Sequence, residues 1–260
     1  QGLDGFHWAG VAKIYGYEAS EPSVDDFALW MFRQAINGFA SDTPGALRNI
    51  QLDFASLRND RRSADALAIL ARRAAESLDY ASTIEDAELA ELMSNDLFED
   101  VERKIISALA QAVVERTMSA REVSEIIRSR QSSIWVDGYR ELYAALAAAS
   151  DLLSELATAR FEIASFDDGL DRYRKHWFRI DQLYRQFHFA ARTTEYAGPL
   201  EALRVEVEKH YANRYLYELG NAWQQQVDAV TDWRTVALRS QTRFFTDHVE
   251  PIIRKGNRKA

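Results

Sequence analysis

The chain has 260 residues, a net charge of −8, no cysteine, and few glycines and prolines (11 and 4). That length supports a real hydrophobic core. The missing cysteines exclude a disulfide scaffold and a thiolate zinc site, and the acidic balance disfavours broad binding to nucleic acid.

The scarcity of turn-formers, with many Ala, Leu, Glu and Arg, predicts an all-α fold, an irregular multi-helix bundle. Phe6, Trp8, Val11, Ile14 and Tyr15 suggest an opening helix that stops near Gly16. Ser23 is a predicted N-cap, with Asp25 and Asp26 in the first turn and an apolar stripe of Phe27, Trp30, Met31 and Ala35 behind them. Asp42 to Gly45 is a predicted turn, and Ser41–Gly45 is the weakest join in the chain. It separates an N-terminal helical part, 1–41, from a main helical domain, 46–260, the two expected to pack as one unit. Residues 46–57 fit two periods. Ile50, Leu52 and Phe54 alternate like a strand, whereas Leu47, Ile50, Phe54 and Leu57 fit a helix. The expectation taken is one short extended piece near 47–54.

Ser63 can cap a helix running to about Tyr80, and Thr83 a short one holding Ile84, Leu89 and Leu92. Ser94 or Asn95 should start a long helix with Leu97, Val101, Ile105 and Leu109 on one face. Ser119 and Glu122 have capping-box spacing. A helix of about thirty residues is predicted from Ser133, with Trp135, Tyr139, Leu142, Leu146, Leu153 and Leu156 at helical intervals. Ser165 and Asp168 repeat the cap spacing and open the most aromatic segment. Gly198-Pro199 begins the next helix, Gly220 is expected to break it, and Ser240 opens the last, which Pro251 should bend or shorten. No stretch has the length of a membrane span, and the expected compartment is the cytoplasm.

Sites of chemistry are scarce. The five histidines, His7, His176, His188, His210 and His248, show no metal-ligand spacing, and no Gly-rich phosphate loop or nucleophile elbow is present. The acidic pairs Asp25-Asp26 and Asp167-Asp168 sit where helices begin, so dipole complementarity explains them. Residues 74–102 hold ten acidic residues and no Lys or Arg, a docking surface for a basic partner or, more simply, a solvated helix face. In 172–192 the cations Arg172, Arg174, Lys175, Arg179, Arg185 and Arg192 interleave with aromatics, making them candidate nucleic-acid or partner contacts. Yet Tyr173, Trp177, Ile180, Tyr184 and Phe187 recur at core spacing. A two-sided buried helix whose arginines pair with acidic neighbours, such as Asp181 with Arg185, accounts better for an acidic protein.

The run from Tyr173 to Phe187, including Trp177, Ile180, Asp181 and Tyr184, resembles a characteristic stretch of PglZ type A proteins of BREX anti-phage systems. Weaker pieces agree in order: Tyr15-Gly16-Tyr17, Lys104-Ile105-Ile106, Ser132 to Trp135, Tyr211 to Arg214, Phe244-Phe245 and Gly256-Asn257-Arg258. The resemblance implies that the chain is a fragment of a longer protein, the helical region before a domain of the alkaline phosphatase superfamily. That domain would bring an Asp-Ala-Leu-Arg-Tyr-Glu-like motif and a divalent metal such as zinc. Asp65-Ala66-Leu67 shares only three letters of it and lies in a predicted helix, so no catalytic or metal residue carries over. The implied partners are that phosphatase-like domain and other BREX components such as the methyltransferase. Nucleic acid is the alternative, and a membrane is not expected.

Overall fold

A computed structural model of the chain describes residues 2–38, 44–93, 95–233 and 241–256. Among them every regular element is helical, and no strand is present. The helices are α1 (Gly2–Tyr15), α2 (Val24–Ile36), α3 (Pro44–Asn59), α4 (Ala64–Ser77), α5 (Tyr80–Thr83), α6 (Leu89–Leu92) and α7 (Glu99–Glu115). There follow α8 (Ala120–Ser129), α9 (Val136–Thr158), α10 (Phe166–Arg172), α11 (Phe178–Thr193), α12 (Glu201–His210), α13 (Tyr217–Asp228) and α14 (Glu250–Gly256).

Local capping sets many of the starts. The Ser23 hydroxyl accepts from the Asp26 N–H at 3.1 Å and opens α2. Ser165 accepts from the Asp168 N–H at 3.2 Å and opens α10. Ser119 and Glu122 form a reciprocal capping box at α8, the arrangement that satisfies two orphan helix-end donors at once. Gly16 ends α1 with a φ of 71°, a left-handed conformation that costs a glycine little.

The expected extended piece at 47–54 is instead the middle of α3. Pro44 is its first residue, where a missing N–H costs nothing. Ile50 and Phe54 are buried, while Leu52, which the alternating pattern needed on the same face, is 60% exposed. Burial therefore follows the helical period. The predicted turn at 42–45 and the Ser94 and Ser240 caps fall wholly or partly outside the described residues. Thr83 ends α5 rather than opening a helix, and the capping box that starts α6 belongs to Glu88 and Glu91. Gly220 lies within α13 and does not break it.

α9 is the centre. Its buried residues, among them Leu142, Leu146, Ala149, Leu152 and Leu156, run round most of the helix, as expected of an element enclosed by others. α11 packs along it, with α7, α8 and α12 on its other sides. Each buried leucine here stabilises by about 1.5–3 kcal/mol. The hydrophobic cluster is continuous from Phe32 of α2 and Phe54 of α3 through α4 and α7 to Tyr215. α13 packs on α10.

The acidic stretch divides: Glu76, Asp79, Glu85, Asp86, Glu88 and Glu91 are exposed, as on a solvated face, whereas its last part is tied into the fold. Asp96 pairs with Arg58 at 2.8 Å and Glu99 with Arg72 at 2.6 Å. Glu102 is fully buried. It accepts from Arg130 at 2.6 Å, from Ser133 at 3.1 Å and from the Tyr143 hydroxyl. Arg130 also donates to the carbonyl oxygens of Met93 and Asn95. One ion pair thus ties α7, α9 and the connections before α7 and α9 together.

Candidate functional site

The segment 173–192 splits into two faces. Trp177, Ile180, Leu183, Phe187, Ala190 and Ala191 are buried. Phe178 and Phe189 are exposed, the latter by 67%, so the helix is buried on one side and not on two. Between α9 and α11 runs a groove of about 530 Å³. It is lined by Glu141, Ala144, Ala147 and Asp151 of α9 and by Arg185, Gln186 and Phe189 of α11.

The six candidate cations differ in their partners. Arg172 bonds Asp168 at 3.0 Å, Lys175 bonds Asp171 at 2.6 Å, and Arg179 reaches Glu155 at 3.3 Å and Asp151 at 3.7 Å. Arg185 and Arg192 donate instead to the carbonyl oxygens of Asp181 and His188, each at 3.2 Å. Arg174 is exposed. The expected Asp181–Arg185 carboxylate pair does not form, because tyrosines occupy the carboxylate.

Three hydroxyls converge on Asp181. Tyr211 donates to Oδ1 at 2.7 Å; Tyr173 and Tyr215 donate to Oδ2 at 2.7 and 2.9 Å. Sequence spacing gave no sign of this, since the donors come from both sides of Asp181 and from 30 and 34 residues downstream. Both donor segments, Tyr173–Trp177 and Tyr211–Leu216, are single π-helical turns. Such turns are frequent at functional sites. Burial, and then the Asp181 carboxylate, raises the pKa of Tyr211 and Tyr215. For Tyr173 the hydrogen bond to Asp181 is the larger cause. Tyr184 stacks flat on Tyr211, with centroids 3.7 Å apart, and donates to Glu208 at 3.0 Å.

Beside this cluster lies a cavity of about 390 Å³. Its walls include Tyr173, Trp177, Tyr215, Leu219 and Trp223, and Asp181 is its charged group.

His188 lies with Nε2 3.1 Å from Glu208 Oε1, at an angle too poor for a hydrogen bond, and burial lowers its pKa. Among the described residues no three His, Asp or Glu side chains come together as a metal site. The described residues therefore offer no ligand set for the divalent metal that the resemblance implies for the parent, and no step is assigned through it. No helix in the described residues is long and apolar enough to cross a membrane.

The alkaline phosphatase-like protein PglZ of Bacillus cereus (strain H3081.97) is 24% identical over 265 residues, covering 96% of this chain and 31% of that protein. The chain is a distant homologue of PglZ. The alkaline phosphatase-like protein BrxZ of Escherichia coli O9:H4 (strain HS) is 26% identical over 275 residues, again across 96% of this chain and 32% of the relative. The chain thus spans about a third of the length of these curated relatives. The similarity reaches well beyond the Tyr173–Phe187 run on which the resemblance to PglZ chiefly rests. No family model matches the chain, and no solved structure does.

Proposed function

We propose that this chain is a non-catalytic helical scaffold within a PglZ-like anti-phage defence protein. It positions a phosphatase-like domain carried elsewhere in the same protein and offers surfaces to other BREX components, the methyltransferase among them. The observation that carries the reading is the outer face of α11. Phe189 stands exposed at a groove between α9 and α11 and Phe178 is exposed on the same helix, on a chain that matches only about a third of its relatives. Exposed aromatics bordering a concave apolar surface mark interaction sites more often than solvated ones. The occupant is the remainder of the parent protein, which supplies the other two-thirds of the length. The nucleic-acid alternative is weaker, because Arg172, Lys175 and Arg179 are already committed to carboxylates.

The test is association in trans between this chain and the remaining part of its parent, read by analytical ultracentrifugation. Phe189→Glu should weaken association about tenfold or more, the effect of losing one buried aromatic anchor, with the melting temperature unchanged because Phe189 is exposed. Undiminished association of the variant would sink the assignment of this face.

A further inference from the structure

We infer that the cavity beside Asp181 is a binding site for a small organic cation with an alkylated ammonium head. Three features of the cavity converge on that chemistry. Its one charged group is a carboxylate with no cation within ion-pair distance among the described residues; Arg185 bonds the Asp181 carbonyl oxygen instead. A carboxylate offers about four acceptor positions. Three are filled by Tyr173, Tyr211 and Tyr215, which leaves one on Oδ1. The remaining lining is apolar and half of it aromatic, with Trp177, Trp223, Tyr173 and Tyr215 beside Leu170, Leu216 and Leu219. Aromatic rings beside a carboxylate suit a poorly hydrated cation and give a strongly hydrated metal ion few oxygen ligands. The volume, about 390 Å³, is in the range of small-molecule sites, roughly 300–1,000 Å³.

Gly220 gives a handle on the cavity. It lines the cavity from within α13, and a Cβ built there meets nothing within 4 Å. A glycine inside a helix costs about 1 kcal/mol relative to alanine. The open space makes Gly220 a position at which the lining of the cavity can be enlarged by substitution. The three tyrosine bonds hold the carboxylate in place before a ligand arrives, so little ordering remains to be done on binding.

The experiment is a tryptophan-fluorescence titration of the full 260-residue chain with choline. The comparison ligand is choline's carbon isostere, in which a tert-butyl group replaces the trimethylammonium head. Choline should give a saturable change, and the neutral isostere should bind about tenfold more weakly or worse. Asp181→Asn should abolish the difference between the two. Gly220→Leu should block both ligands while leaving every Asp181 bond intact, and it remains decisive if Asp181→Asn fails to fold. Equal binding of choline and its isostere, no saturable response to choline, or full binding by Gly220→Leu would each overturn the proposal.

Discussion

Replacing Glu102 by glutamine removes one charge from a site that water does not reach. The side chains of Glu102 and Arg130 are 0% and 3% exposed. Glutamine keeps the size, but it leaves the Arg130 guanidinium buried without a counter-charge. It also turns one acceptor oxygen into a donor that faces the donors of Arg130, Ser133 and Tyr143. Breaking a buried pair in this way costs about 3–5 kcal/mol. At about 2–4 °C per kcal/mol for a chain approaching this size, the melting temperature should fall by roughly 6–20 °C. Urea unfolding followed by circular dichroism measures the loss. The paired replacement Glu102→Met with Arg130→Met separates the terms. It removes both charges, so it should cost much less than the sum of the single changes. If Glu102→Gln stays within about 0.5 kcal/mol of the parent, the range of an ordinary surface change, the pair is not the buried tie described here.

Gly169 lies under Trp223, and an added Cβ would overlap that ring and come within 2.9 Å of Ile163 Cγ2. Gly169→Ala should therefore lose about 1–2 kcal/mol despite its better helix propensity, read in the same unfolding assay; a gain in stability would show that Trp223 moves aside freely. Alkaline titration tests the buried tyrosines. Burial and Glu102 raise Tyr143, burial and Asp181 raise Tyr211 and Tyr215, and Tyr139 is pushed up to about 12, chiefly by burial. With folded pKa values above the unfolded value near 10, these groups stabilise the fold fully below about pH 10, and that stability is lost as pH rises through the folded values. Phenolate absorbance of the native protein should accordingly lag that of the urea-unfolded protein, and coincident curves would contradict the placement of these hydroxyls.

What could be read from the sequence is what neighbouring residues decide. Ser23, Ser119 and Ser165 each cap a helix whose first turn lies within reach of the same side chain, so spacing alone finds them. The central helix α9 announces itself through leucines and alanines repeated at the helical period. The stretch 47–54 misleads because three apolar residues at alternate positions fit a strand and a helix almost equally. Only the exposure of Leu52 separates them, and that is a tertiary fact. Asp181 shows the same limit at the candidate site. The helical i, i+4 rule offers it Arg185, but Tyr211 and Tyr215 arrive from a later helix and claim the carboxylate. Glu102 sits in an acidic run that looks solvated until Arg130, 28 residues on, folds back over it. The two π-helical turns left no local signal of comparable kind.

The most direct test of the central claim compares phosphodiesterase activity, with zinc or manganese added, between this chain and a chain extended to the full length of its relatives. A scaffold predicts turnover by the longer protein alone, with the 260-residue chain at the buffer rate. Metal-dependent turnover by the 260-residue chain itself would contradict the account and direct attention to its own His and Asp side chains.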